Sequence, residues 1–131
     1  MRSKLKCAVL AFVTFALFLT VGCGPQPTQI TSTDNGGQVS LKAGQQFVVV
    51  LEGNASTGFV WQAKDLDTAF LQQLGEPKFA SDNPDLVGSG GKQTITFKAL
   101  KAGTVTLTLV YLRPWESVPP TQTFSVTLTI Q

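Results

Sequence analysis

Three stretches alternate apolar and polar residues almost without a break: Lys92 to Leu100 (KQTITFKAL), Thr104 to Leu112 (TVTLTLVYL) and Phe124 to Ile130 (FSVTLTI). A repeat of two is the period of a strand, not of a helix. Ile95 and Phe97 share one face of the first stretch. Val105, Leu107, Leu109 and Tyr111 share one face of the second, and Phe124, Val126, Leu128 and Ile130 one face of the third. Threonines fill much of the other face, as suits a pleated sheet with one side dry and one side wet.

The preceding residues extend this pattern. Gln46 to Glu52 is an apolar, β-branched run of the kind found in central strands. Phe59 to Lys64 is a further strand, with Trp61 as a core filler, and Val39 and Leu41 begin a short one before a turn at Lys42-Ala43-Gly44. Glu76 to Ala80 reads as a short strand that Pro77 confines to an edge. Thr68 to Leu74 differs. Phe70, Leu71 and Leu74 fall at helical spacing and predict one or two turns, 3₁₀ in character, ended by Gly75. About seven short strands between turn signals predict an all-β fold, an immunoglobulin-like antiparallel β-sandwich.

The N-terminus follows another logic. Arg2, Lys4 and Lys6 precede an apolar run from Cys7 to Val21, too short to span a membrane and typical of an export signal. It ends at Thr20-Val21-Gly22-Cys23, which resembles a bacterial lipobox, although Leu19 lies one position too early. The organisation expected is a lipoprotein signal peptide over 1–22, lipidation at Cys23, a flexible tether over 23–38 and a sandwich domain over 39–131. Thr28 to Thr33 in the tether has the makings of an added edge strand. The expected location is a bacterial cell envelope, with the membrane as a partner through the lipid anchor.

Loss of the signal removes Arg2, Lys4 and Lys6, leaving seven basic against eight acidic side chains and a net charge of −1. Nothing in that balance tracks a phosphate backbone, so no nucleic-acid partner is expected. Histidine is absent, which removes Ser-His-Asp and Cys-His nucleophile systems and the commonest metal ligand. Cys7 leaves with the signal and Cys23 carries the lipid, so the domain has neither a disulfide nor a free thiol. Asp65 with Asp67 and Asp82 with Asp85 sit in turn-like contexts that favour aspartate for local hydrogen bonding. Neither enzymatic activity, nor a metal, nor a cofactor is expected, and the domain is expected to be a monomer.

In a sandwich whose strands reverse direction, every second loop lies at the same end. If Glu76 to Ala80 is a strand, the loops NASTG, SDNPDLVGSGG and RPWESVPPTQ share one edge. They are the long, glycine-bearing loops, and loops on a rigid scaffold commonly carry binding function. Their residues carry a resemblance. NASTGFVW, then GSGG at Gly88 to Gly91, then Arg113-Pro114-Trp115 are similar to the three signature segments of the chagasin family, which inhibits papain-like cysteine peptidases. The resemblance spans about Val39 to Gln131. Ala55 replaces the family's proline and Ser56 its first threonine.

The resemblance implies a reversible inhibitor that blocks the peptidase cleft with these three loops. Asn54, Ala55, Ser56, Thr57, Gly58 and Phe59 would form the segment over the catalytic cysteine, with small side chains that let backbone enter a narrow cleft. Gly88, Ser89, Gly90 and Gly91 would supply backbone contacts on one flank. Trp115 would lie flat on the other, Arg113 would reach an acidic or carbonyl group of the enzyme, and Pro114 would fix the turn between them. The alternative is a non-inhibitory immunoglobulin-like envelope module for binding or adhesion. In that case Trp115 would be buried, and Arg113 would stack for stability.

Overall fold

The computed structural model describes residues 26–131. The signal segment, the lipobox and Cys23 lie outside the described residues. Among the latter there are nine strands: β1 (Thr28–Thr31), β2 (Gln38–Leu41), β3 (Gln46–Gly53), β4 (Val60–Lys64), β5 (Leu71–Gln73), β6 (Lys78–Ser81), β7 (Gly91–Ala99), β8 (Gly103–Leu112) and β9 (Gln122–Ile130). One sheet has the order β1-β3-β7, with β5 and β6 following one another along the far side of β7. The other has the order β2-β9-β8-β4.

The alternating stretches form β7, β8 and β9, and their apolar faces meet between the sheets. Phe47, Phe97, Phe124, Ile95, Leu107, Leu109 and Leu128 are all fully buried there. Phe47 and Phe97 face each other across β3 and β7 with ring centroids 5.5 Å apart. Each such side chain stabilises the fold by about 1.5–3 kcal/mol through removal of apolar surface from water. The immunoglobulin-like sandwich expected from the pattern is therefore present.

The tether is shorter than expected. Thr28 to Thr31 pairs in parallel with β3, and Ile30 is completely buried in the core. Residues 32–37 then cross between the sheets, where the Gly36 amide donates to the Ser125 carbonyl and the Thr127 amide to the Gly37 carbonyl. The next segment, β2, pairs in parallel with β9. The sheets are thus mixed rather than purely antiparallel, and the ordered domain begins near Thr28 instead of Val39. One apolar residue in TQIT is a weak sequence signal. The strand exists because β3 offers an open edge and the core offers a place for Ile30.

Of the one or two helical turns expected over Thr68 to Leu74, only the first forms, and the segment then becomes a strand. One turn is made, with the Phe70 and Leu71 amides both donating to the Asp67 carbonyl and Asp67 Oδ1 accepting from the Ala69 amide. Then Leu71 enters the sheet opposite Ala99 and is fully buried. Burial of Leu71 and ladder pairing outweigh a helical preference spread over so few residues.

Gln93 is the one buried polar side chain of the described core, 6% exposed on β7. Its Oε1 accepts from the Trp61 amide at 2.9 Å and its Nε2 donates to the Trp61 carbonyl at 2.7 Å. A side chain of one sheet thereby satisfies the backbone of β4 at the edge of the other. It fastens the seam where β4 and β6 do not pair and where a cleft of about 480 Å³ remains, lined in part by Trp61, Phe79 and Gln93.

Candidate functional site

The registers place the three loops together. Gly53 and Ser81 both lie opposite Gly91, Val60 lies opposite Leu112, and Gln122 lies opposite Tyr111. The connections 54–59, 82–90 and 113–121 therefore leave the sandwich at one edge. The alternation survives because β5 and β6 are both antiparallel to β7 and act as a single interrupted strand.

The first loop is a single 3₁₀ turn, Ala55–Thr57, capped by Asn54. Asn54 Oδ1 accepts from the Ser56 amide at 3.1 Å and from its hydroxyl. Thr57 Oγ1 donates to the Asn54 carbonyl at 2.7 Å. Ala55, Ser56 and Thr57 are exposed. Gly58 closes the turn at φ 81°, in the left-handed region that glycine adopts at least cost.

Each neighbouring segment holds this turn. Asn54 Nδ2 donates to the Gly88 carbonyl at 3.0 Å, tying the first loop to the second. The Asn54 amide donates to the Tyr111 hydroxyl at 2.9 Å, tying it to β8. Arg113 Nε donates to the Thr57 carbonyl at 2.8 Å, tying it to the third loop. The Trp115 ring packs over Gly58 so closely that a Cβ there would come within 2.3 Å of Trp115 Cη2.

Trp115 is 70% exposed despite that contact. The outer rim of its six-membered ring (Cη2, Cζ2 and Cζ3) lies against Gly58, and most of the indole meets solvent. Leu86, Val87 and Val118 on the same edge are also exposed, Val87 almost completely. The second loop presents its apolar pair from an ordered turn. The Leu86 amide donates to the Asn83 carbonyl, the Ser89 amide to the Leu86 carbonyl, and the Asn83 amide to Ser89 Oγ.

Two candidate residues are placed differently from expectation. Gly91 is buried inside β7, where a Cβ would sit 2.1 Å from the Ala80 carbonyl oxygen. Its role is close approach of β6 and β7, and Gly88 to Gly90 form the available part of the segment. Arg113, about a third exposed, is engaged within the protein. Besides its bond to Thr57, it lies over the Phe59 ring at 4.4 Å and pairs with Glu116 at 3.1 Å. It is a strut between the first and third loops, held by the Thr57 carbonyl and the Phe59 ring. Phe59 is half-buried between Arg113 and Tyr111, whose ring centroid is 5.2 Å away. Asn54 to Gly58, Gly88 to Gly90, Pro114 and Trp115 come together at the surface.

Sequence reading missed Tyr111 and the apolar pair Leu86-Val87. Tyr111 alternates with the core residues of β8, and its phenol must find a partner once buried, which was the available signal. The pair stood out as two apolar residues in an otherwise polar loop.

Among the described residues, no three His, Cys, Asp or Glu side chains come close enough to hold a metal ion. The edge is a pre-organised ridge of small, exposed residues flanked by apolar groups. Occupying a cleft requires no reactive group, and a ridge already fixed by hydrogen bonds loses little entropy on docking.

Comparison with known proteins identifies the family and the fold. Residues 40–130 match the family described as Chagasin family peptidase inhibitor I42. Amoebiasin-1 of Entamoeba histolytica is 26% identical over 102 residues, 78% of this chain and 98% of that protein. Chagasin of Trypanosoma cruzi is 29% identical over 93 residues, 66% of this chain and 82% of its own. The crystal structure of the cysteine protease inhibitor EhICP2 from Entamoeba histolytica superposes with a TM-score of 0.70 at 26% identity. It covers 82% of this chain and 100% of that one.

Proposed function

The chain belongs to the chagasin family of peptidase inhibitors, and we propose that its inhibitory surface is the edge formed by the loops 54–59, 82–90 and 113–121. The protein is a reversible inhibitor of papain-like cysteine peptidases and not an enzyme. The small turn Ala55–Thr57 enters the cleft above the catalytic cysteine. The loop ending in Gly88 to Gly90 lies on one rim and Trp115 on the other. Backbone and small side chains make the central contact, so the site is blocked by occupancy and released intact.

The observation that carries this reading is the state of Trp115. A structural module would bury so large an apolar side chain. Here it is held by Gly58, exposed, beside a turn whose conformation is fixed by three other segments. Tryptophan in such a position is a typical binding hot spot, at about 2 kcal/mol or more on truncation. Arg113 contributes by positioning Thr57 rather than by reaching the enzyme.

The protein acts as a monomer anchored in a bacterial envelope by lipid on Cys23. The basic start, the short apolar run and the small residues before Cys23 support the anchor. Titration of the soluble domain into papain with a fluorogenic substrate tests the inhibitor reading. Loss of rate near stoichiometric amounts is expected, and full activity at micromolar inhibitor would overturn it. Mass spectrometry of the membrane-extracted protein tests the anchor. An acylated Cys23 is expected, and an unmodified one would overturn it.

A further inference from the structure

The first described residues, Gln26 and Pro27, lie beside the turn 42–46, at the end of the sandwich opposite the three loops. Gln45 Nε2 bonds Thr28 Oγ1 there at 2.6 Å, and β1 starts opposite Phe47 and runs toward the loop edge. Cys23 is three residues before Gln26. Three residues reach at most about 10 Å in any conformation. A tether over 23–38 would have let the domain turn freely above a membrane. The leash that remains is shorter than the domain is long, since the ten residues of β8 span about 33 Å.

We infer that the base of the sandwich is a lipid-facing surface, and that the inhibitory edge is presented away from the membrane at a height of roughly 30 Å. The inference rests on the lipid anchor at Cys23 proposed above. The charges agree with the orientation. Exposed Lys42 and Lys101 lie on the two turns at the base, with Lys98 nearby and exposed Leu100 between them, and Asp65 and Asp67 lead into the same end. At the far edge stand Asp82, Asp85, Glu116 and, just below the edge, Glu52, against two basic groups: Arg113, already paired to Glu116, and Lys92, opposite Glu52. An anionic headgroup layer repels that edge and tolerates or attracts the base. The occupant of the base is therefore a lipid surface, and the peptidases reached are those arriving from the aqueous side.

The test uses the mature protein with its anchor, reconstituted into vesicles of phosphatidylcholine and phosphatidylglycerol that carry a headgroup-bound quencher. A fluorophore is placed at Lys42→Cys, Lys101→Cys or Asp85→Cys, one at a time. Quenching several-fold stronger at 42 and 101 than at 85 is expected. Equal quenching at the three positions, or stronger quenching at 85, would overturn the orientation, as would recovery of the protein with Cys23 unmodified. Papain inhibition is read on matching vesicles that carry the unlabelled protein. Graded quenching without inhibition would sink the inhibitor reading and leave the orientation standing. Inhibition with ungraded quenching would do the reverse.

Discussion

The base of the sandwich and its loop edge differ in the bonds that dominate their closure. At the base, the turns 42–45 and 100–102 are short and sealed by backbone: the Gly44 amide donates to the Ala99 carbonyl, the Ala99 amide to the Gln45 carbonyl, and the Gln131 amide to the Leu41 carbonyl. At the edge, the crossing bonds come from side chains. Asn54, Tyr111 and Arg113 each join one loop to another element, and Trp115 covers a glycine. Backbone seals tolerate many sequences, whereas side-chain struts demand particular ones. The edge is thus the part of the molecule whose shape is specified residue by residue, and the part that leaves apolar surface in water.

If that contrast is right, stability and inhibition separate by position. The largest effect is expected from Gly91→Ala, just below the edge, where a Cβ would collide with the Ala80 backbone. Overpacking there costs about 3 kcal/mol or more, read as a lowered denaturant midpoint and loss of β6 pairing by hydrogen exchange. Gln93→Leu strips two bonds from the Trp61 backbone. It should cost about 2–4 kcal/mol while the inhibition constant of the folded fraction stays the same. A large loss of inhibition in that variant would show that the edge depends on the seam beneath it.

At the edge itself the balance reverses. Gly58→Ala should cost about 1–2 kcal/mol in stability for its left-handed backbone. It also pushes an exposed ring off its seat, so inhibition should weaken about tenfold or more. Tyr111→Phe removes only the hydroxyl that holds the Asn54 amide. A loss of about 1 kcal/mol and faster exchange of that amide are expected, with a smaller loss of inhibition than for Gly58→Ala. An unchanged exchange rate would mean that the first loop holds its shape without β8.

Much of this was legible in the sequence, for physical reasons that differ by residue. The core strands were legible because alternation of threonine with large apolar residues has one structural meaning. The shared edge followed from direction reversal, since Lys78 to Ser81 does form a strand. Leu71 was misread because three apolar residues at helical spacing also fit a turn followed by a strand, and only the partner Ala99 decides. The edge strand over Thr28 to Thr31 was legible, but the burial of Ile30 was not, because a four-residue strand has no pattern that tells a tether from the domain. Arg113 looked free because sequence cannot show that the Thr57 carbonyl and the Phe59 ring lie within its reach.

The central claim is that the loop edge, and Trp115 above all, makes the inhibitory contact. Its most direct test is the papain inhibition constant of Trp115→Ala beside that of the wild type, with unfolding measured on both. The prediction is inhibition weaker by about 2 kcal/mol, roughly thirtyfold, with stability changed by about 0.5 kcal/mol or less, as for an exposed side chain. Equal inhibition by a variant that folds as well as the wild type would contradict it.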